Sequence, residues 1–221
     1  MKKKSKKFKI AIDSPAAAGA GTVAKKISKY YNLLYLDTGK IYRLIAYLKI
    51  KSKEKYNYAL VKKKMRNLKM KELEKKYLLS DKIGVVASKI AKDPLIRKLV
   101  LKFQINCAYN YSKKFNGSCL DGRDITYKIV PDADFKFFIT ANIKVRAKRR
   151  FIELKKLGKK ITFPEVINSI KNRDKNDYNR RISPLKKTED SVLINTTNLT
   201  KSACFLKIKK IIDAKLKYGN I

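Results

Sequence analysis

The stretch FKIAIDSPAAAGAGTVAKKISKYYNLLYLD, residues 8–37, decides the fold class of this chain. Its first six residues form a short apolar run that is typical of a buried strand, and a turn of small residues follows. Val23, Ile27 and Tyr30 then recur at helical spacing, which predicts an amphipathic helix. The apolar residues at 33–37 predict a second buried strand. The order strand, turn, helix, strand is typical of an α/β fold with a parallel sheet.

The rest of the chain continues this pattern. Three further apolar runs predict strands at 118–120, 135–139 and 192–195. The segments between the strands are charged and predict helices, one of which begins at Pro94 and another of which has Thr200 as its N-cap. The predicted fold class is therefore α/β, with five parallel strands in one sheet and helices on both faces.

The composition restricts the class of protein. The 221 residues are 44% hydrophobic, which is enough for one substantial core. No window approaches the roughly 18 uncharged apolar residues that a membrane helix needs. The lysine-rich start leads directly into a strand and not into the apolar segment of a signal peptide, so we expect a cytoplasmic protein. Three widely spaced cysteines and the lack of histidine argue against a disulfide framework, a zinc site and catalysis by imidazole.

The net charge of +38 is high enough to suggest binding to nucleic acid through its phosphates. However, 46 of the 56 basic residues are lysines, and they are spread along the whole chain. We interpret most of them as solvated surface residues and do not expect a nucleic-acid partner, although a basic nucleic-acid-binding protein is an alternative. Arginine is the side chain suited to planar, bidentate recognition of phosphate, and most of the ten arginines lie in the motifs described next.

The turn after the first strand has the position of a phosphate-binding loop. Such a loop has the pattern G-x-x-x-x-G-K-[ST]: its backbone N–H groups surround phosphates, its lysine neutralises charge and its hydroxyl binds Mg²⁺. Here Ser14 stands at the first glycine, Gly19 at the second and Ala20 at the lysine, while Thr22 supplies a hydroxyl. Taken alone, the turn could equally serve close packing of the strand against the helix.

Further segments resemble the cytidylate kinase family over nearly the whole chain, and they occur in the order in which that family has them. The loop of that family reads approximately DGPxxxGKGT, and here it reads DSPAAAGAGT. The other matching segments are LDTGKIYR (36–43), ASKIAKDPLIR (87–97), LDGRD (120–124), VPDADFKFFITA (130–141), RAKRR (146–150) and RDKNDYNRRISPL (173–185). The resemblance implies a P-loop kinase that transfers a phosphoryl group from ATP, bound with Mg²⁺, to CMP or dCMP.

The resemblance also implies how the chain is divided. Residues 1–221 would form a single domain, which we expect to be a monomer. Its core would comprise about 1–45, 115–142 and 184–221, its CMP-binding region about 46–114, and its helical lid about 143–183. Residues 50–80 lack glycine and proline and look helical, so we expect the β-subdomain that bacterial members often carry in this region to be short or absent.

Site residues are carried over onto the matching positions. By resemblance, ATP would bind at Ser14, Pro15, Ala16, Ala17, Ala18, Gly19, Ala20, Gly21, Thr22, Arg146 and Arg149, with Thr22 also on the metal. CMP would bind at Thr38, Arg43, Ser88, Arg97, Arg123, Asp124, Arg173, Asp177 and Arg180. Arg123, Arg150 and Arg180 would take part in phosphoryl transfer. The alternative for any one of these residues is an ion pair within its own motif, such as Arg123 with Asp124 or Arg173 with Asp177.

Ala20 in place of lysine is the main departure from the family pattern. We expect another cation to substitute, and the candidates are Lys25, Lys26, Lys40 or an arginine of the lid. A CMP-binding protein with weak or lost kinase activity is an alternative, as is another small-molecule kinase with the same sheet, such as an adenylate or shikimate kinase. A scaffold protein would need none of the motifs. Asp124 favours cytosine, because a carboxylate accepts a hydrogen bond from the exocyclic amine.

Overall fold

All five predicted strands are present in the computed structural model, which describes residues 7–218; residues 1–6 and 219–221, at the ends of the predicted core, lie outside it. The strands are β1 (Phe8–Asp13), β2 (Leu34–Asp37), β3 (Gly117–Gly122), β4 (Phe135–Thr140) and β5 (Val192–Asn195). They form one parallel sheet in the order β2-β3-β1-β4-β5. The predicted fold class is confirmed.

The α-helices within residues 7–218 are α1 (Ala20–Tyr31), α2 (Thr38–Ser52), α3 (Tyr58–Arg66), α4 (Asp81–Ile90), α5 (Pro94–Tyr109), α6 (Ile143–Lys156), α7 (Phe163–Asn179) and α8 (Lys201–Lys217). The two helix starts predicted from capping residues are confirmed. The Asp93 side chain accepts from the first turn of α5, and the Thr200 hydroxyl accepts from the N–H of Ala203 at 3.1 Å. Between α2 and α5 the described chain contains only helices, 3₁₀ turns and loops, as expected.

The core lies on both faces of the sheet, because successive residues of a strand point to opposite sides. Ile10 and Ile12 of β1 are buried against α1 and α8 on one face. Ala11 and Leu36 are buried against α2, α4 and α5 on the other face. Tyr30 departs from the predicted apolar face of α1: it is 55% exposed, with its ring edge-on to neighbouring aromatic rings.

The carboxyl ends of β1, β2 and β3 meet at one edge of the sheet. The strand register places Asp13 opposite Gly122 and Asp37 opposite Asp121. The segments that follow these strands are the phosphate loop, the first turn of α2 and the rest of the DGRD motif, so all three motifs converge at the same edge. This is the edge at which open parallel sheets bind ligands. No helix within residues 7–218 is both long and apolar enough to cross a membrane.

Candidate active site

The phosphate loop forms an open turn at the start of α1. Gly19 has a φ angle of 90°, in the left-handed region that glycine adopts without the steric cost of a Cβ atom. The helix begins at Ala20, and the N–H of Val23 donates to the Gly19 carbonyl at 3.2 Å. The N–H groups of residues 20–22 therefore have no helical partner. Together with the positive end of the helix dipole, they form a ready site for a phosphate.

The outer side of the loop is fixed by residues of the predicted lid. The buried Arg146 guanidinium donates to the carbonyls of Ala16 (2.8 Å) and Ala141 (2.9 Å) and forms an ion pair with Asp174 (2.7 Å). Asp174 also accepts from the N–H of Ala16 at 3.1 Å. Ala16 and Arg146 are not among the described residues that line the cavity beside the loop. The structure thus gives them a positioning role, and their predicted contact with ATP rests on the family resemblance alone.

That cavity, of about 750 Å³, opens at the carboxyl edge of the sheet. Its wall includes the other predicted ATP residues, all of the predicted CMP residues, and Arg150. Arg43, Arg97, Arg123 and Arg180 come from four separate segments of the chain and share this one cleft. A protein that transfers a phosphoryl group between two nucleotides needs cationic groups to converge in this way, and arginines used only as surface cations would scatter.

Four arginines are crowded together in the cavity. Burial, together with the nearby charges of Arg43, Arg123 and Arg150, lowers the pKa of Arg173 to about 10. The Arg173 side chain donates no hydrogen bond to a described residue, and the buried Nη2 atom of Arg180 likewise has no hydrogen-bond partner within residues 7–218. Like charges held this close together cost free energy, which an anion bound between them would recover. The cluster therefore has the charge and the free donor that an anion site requires.

Two buried carboxylates orient these arginines. Asp124 forms a close ion pair with Arg97, and its other oxygen lies 3.8 Å from Arg180. Asp177 accepts from the Nε atom of Arg123 at 2.7 Å, and its other oxygen also lies 3.8 Å from Arg180. Three of these four pairs join segments that are far apart in sequence. The fourth, Asp177 with Arg180, lies within one motif, the kind of pair that the sequence offered as an alternative, although the two examples named there are not among the ion pairs of the described residues.

The remaining predicted CMP residues come from α2 and α4. Thr38 is the first residue of α2, and its hydroxyl donates to the Asp121 carbonyl at 2.8 Å. Arg43, further along α2, donates to the carbonyl of Leu78 at 2.7 Å. Ser88 lies in α4, and its hydroxyl donates to a carbonyl of the same helix at 2.9 Å. The backbone thus orients each side chain on the cavity wall.

Two further carboxylates of this site are not predicted by the motifs. Asp37 and Asp121 lie opposite each other on paired strands, and both line the cavity. The Oδ2 atom of Asp121 is 3.4 Å from the position that a Cβ atom on Gly21 would occupy, and its buried Oδ1 atom has no hydrogen-bond partner in the described chain. Burial and the charge of Asp37 raise the pKa of the Asp121 carboxyl. With the Thr22 hydroxyl, these carboxylates supply the kind of oxygen ligands that Mg²⁺ prefers and would hold such an ion. Their position at adjacent strand ends is the signal that could have revealed them.

Asp13, at the end of β1, fixes the turn that follows the DGRD motif. Its carboxylate accepts from the N–H groups of Ile125 (2.8 Å) and Thr126 (2.9 Å) and from the Thr126 hydroxyl (2.6 Å). The π-helical turn Ile125–Ile129 is therefore held beneath the cavity, and its bulky side chains are not on the cavity wall. Asp13 is therefore a positioning residue.

The burial of Asp13 predicts a pH effect on stability. Burial raises the pKa of Asp13 from 3.8 to about 6, although the hydrogen bonds from Thr126 and Ile125 oppose this rise. The native state therefore binds this proton more tightly than the unfolded chain, and the resulting stabilisation is lost as the pH rises from about 4 to about 6. Asp13→Asn lacks this titrating group and serves as the reference. We expect the difference in free energy of unfolding, wild type minus Asp13→Asn, to fall by about 2–3 kcal/mol between about pH 4 and pH 7. Urea unfolding at both pH values measures it, and a difference that stays constant or rises would contradict the prediction.

The fold and the site together define a P-loop phosphotransferase of the nucleoside-monophosphate kinase class. The sheet order, the loop at the start of α1 and the convergent arginines are the features of that class. The family model for cytidylate kinase matches residues 10–214, and the chain belongs to the cytidylate kinase family.

Individual relatives agree with this assignment. The cytidylate kinase of Bartonella tribocorum is 42% identical over 217 residues, which cover 96% of this chain and 97% of that protein. The cytidylate kinase of Brucella suis biovar 1 is 38% identical over 210 residues, with coverage of 95% and 94%. Among solved structures, an uncharacterised protein of Eubacterium ventriosum matches with a TM-score of 0.55 at 17% identity, over 94% of this chain and 99% of that one. That likeness concerns the fold alone.

Proposed function

We propose that this protein transfers the γ-phosphoryl group of ATP to CMP or dCMP and forms CDP or dCDP. The observation that carries the proposal is the arginine cluster around Arg173, which shares its cavity with the phosphate loop. Phosphoryl transfer asks a protein mainly to position two phosphate-bearing substrates and to neutralise the charge between them. A backbone phosphate site beside a desolvated cationic cluster meets both requirements.

On the donor side, the N–H groups of residues 20–22 and the dipole of α1 would bind the terminal phosphates of ATP. Thr22, Asp37 and Asp121 would hold the Mg²⁺ ion, which when bound supplies further neutralisation of phosphate charge. Arg149 would complete the donor site. Its Nη1 atom lies 3.9 Å from the position that a Cβ atom on Gly19 would occupy.

On the acceptor side, Arg43, Arg123 and Arg180 would bind the CMP phosphate, with Thr38 beside them. Ser88, Arg97 and Asp124 would recognise the cytosine edge. Arg173 and Asp177 would meet the sugar hydroxyls, and the charge of Arg173 would also stabilise the phosphoryl group in transfer. These roles combine the family resemblance with the shared cavity and the ion pairs described above.

The cytosine contact predicts a preference among acceptors. The exocyclic amine of cytosine can donate to Asp124, whereas uracil has a carbonyl at that position. We expect kcat/KM for CMP to exceed that for UMP by about 10- to 100-fold. Asp124→Asn should reduce this ratio, because an amide can also donate to the uracil carbonyl. Initial rates of ADP formation with CMP, dCMP, UMP and AMP measure the preference. Equal rates with UMP would contradict the cytosine contact, and a preference for AMP would favour an adenylate kinase.

The activity itself is tested with the purified wild-type chain. We expect ADP formation that requires both CMP and Mg·ATP, together with CMP binding detected by calorimetry in the absence of ATP. CMP binding without ADP formation would reject phosphoryl transfer. It would instead favour the alternative of a CMP-binding protein, which Ala20 in the phosphate loop specifically suggests.

The division into regions belongs to the same proposal. Residues 143–183 would act as a lid over ATP, and residues 46–114 would close over CMP, which keeps water from the reactive phosphoryl group. A hydrogen bond from Arg150 of α6 to the Leu79 carbonyl, at 2.9 Å, joins the two regions across the cavity and supports this division. We also propose a monomeric, cytoplasmic enzyme.

A further inference from the structure

The phosphate loop lacks its lysine, and the residue in its place, Ala20, is 3% exposed on the cavity wall. We propose that Lys40, in the first turn of α2, supplies the positive charge to the β- and γ-phosphates that the loop lysine supplies in a complete motif. The inference rests on the proposed function, since it concerns how ATP is bound in that same site.

The position of Lys40 supports this role. It is half-buried and lines the same cavity as the loop. It follows Asp37, which lies opposite Asp121 at the ends of their paired strands. Asp121 in turn lies beside the start of α1, because its Oδ2 atom is 3.4 Å from the position that a Cβ atom on Gly21 would occupy.

The other lysines considered for this role lie elsewhere. The Nζ atom of Lys26 is 4.5 Å from the centroid of the Phe205 ring, on the side of α1 that packs near α8. Neither Lys25 nor Lys26 is among the described residues that line the cavity. Both side chains are exposed. They therefore cannot reach a phosphate held in the loop without leaving their present surroundings.

Two lid arginines of the cavity wall, Arg149 and Arg150, are engaged with the protein, and the other two, Arg173 and Arg180, are assigned above to the acceptor side. Arg149 donates to the Thr196 hydroxyl at 2.9 Å and to its carbonyl at 2.6 Å. Arg150 donates to the Leu79 carbonyl and forms an ion pair with Glu153, both at 2.9 Å. Arg150 would have to give up such contacts in order to move to the β- and γ-phosphates, whereas Arg149 already lies beside Gly19 and is held there by Thr196.

Lys40 and Lys201 are the lysines on the cavity wall within the described chain. Lys201 is exposed and begins α8, next to the loop that holds Arg149. Lys40 forms no ion pair with a residue between 7 and 218, and its compact charge sits on a flexible stem. Lys40 is thus half-buried on the cavity wall and follows Asp37, one of the carboxylates expected to hold Mg²⁺, and it is the better placed of the two.

Lys40→Met tests the inference, because methionine keeps much of the apolar stem and removes the charge. We expect kcat to fall about 10²-fold, as for the loss of one preorganised donor. The affinity for a non-hydrolysable ATP analogue, measured by calorimetry with Mg²⁺, should fall about 10- to 100-fold. The affinity for CMP should not change. Lys25→Met, on an exposed residue outside the cavity, is the matched control and should behave like wild type.

The second variant adds Ala20→Lys to Lys40→Met and should regain affinity for the analogue, because the restored loop lysine would serve the same phosphates. Wild-type affinity and kcat in Lys40→Met would overturn the inference. The inference would also be overturned if Lys201→Met lost affinity for the ATP analogue while Lys40→Met did not. It would likewise be overturned if the double variant had the melting temperature of wild type but regained no affinity for the analogue. If wild type forms no ADP, phosphoryl transfer is rejected. The affinity of the variants for the ATP analogue still tests whether Lys40 binds its phosphates, because that measurement does not depend on turnover.

Discussion

Replacing Arg123 with methionine is expected to lower kcat/KM for CMP by about 10³- to 10⁵-fold, the range for removal of an arginine that stabilises a transferring phosphoryl group. The Nε atom of Arg123 donates to Asp177 at 2.7 Å, and its Nη1 atom donates to the Gly122 carbonyl at 3.0 Å. These two contacts orient the guanidinium at the end of β3. Burial lowers the pKa of Arg123, but the charges of Asp177 and Asp121 outweigh burial and raise it. The group is therefore always charged in the site.

Steady-state rates with CMP varied at saturating Mg·ATP measure this effect. Arg66→Met is the matched control, because Arg66 is an exposed arginine of α3 outside the cavity, and we expect its kinetics to be those of wild type. Arg123→Lys keeps a charge but not the planar fork, so it should recover only part of the loss. A correctly folded Arg123→Met variant that keeps more than about a tenth of the wild-type kcat/KM would show that Arg123 does not act on the phosphoryl group.

The second large effect concerns stability. Asp124→Ala is expected to lower the free energy of unfolding by about 3–5 kcal/mol, because it removes one partner of a buried ion pair and leaves the other charge uncompensated. Arg97 is 9% exposed and Asp124 is 5% exposed, so water cannot readily replace the lost contact. Arg180, 3.8 Å from Asp124, would lose a neighbouring negative charge as well.

Urea unfolding at pH 7 measures this change. Asp190→Ala is the control, since Asp190 pairs with Lys136 at the surface and its side chain is 59% exposed. An exposed pair of this kind contributes about 1 kcal/mol or less. If Asp124→Ala destabilised the protein no more than Asp190→Ala, the Arg97–Asp124 pair would not hold the site together.

Much of the fold follows from local sequence. The apolar runs at 8–13 and 192–195 match β1 and β5, because short, continuous apolar runs bounded by turn residues are typical of parallel strands. β1 is buried at the centre of the sheet, whereas β5 lies at its edge with Ile194 as its buried residue. The starts of α5 and α8 follow from Pro94 and Thr200, whose effects on a helix end involve only neighbouring backbone groups. The motif segments were likewise sufficient to identify the family.

Which arginine lines the cavity and which one supports the phosphate loop does not follow from local sequence. Arg146 and Arg149 lie in the same motif and the same helix, yet Arg146 is buried behind the phosphate loop and Arg149 lines the cavity. Which of the two faces the nucleotide depends on how α6 packs against the loop. Motif spacing contains no information about that packing.

The contacts of the site carboxylates likewise do not follow from local sequence. Asp37 and Asp121 are far apart in the chain, and the parallel register of β2 and β3 brings them together. Asp177 on α7 reaches Arg123 at the end of β3 for a similar reason. Residue types and their order along the chain predicted the α/β fold, and the motifs indicated a P-loop kinase with a pyrimidine acceptor through their family resemblance, because apolar periodicity, caps and motifs are local signals. The carboxylate pair proposed to hold Mg²⁺, the charge partners and the choice of Lys40 among the candidate cations depend on strand register and helix packing, which join distant residues through contacts that no single segment encodes.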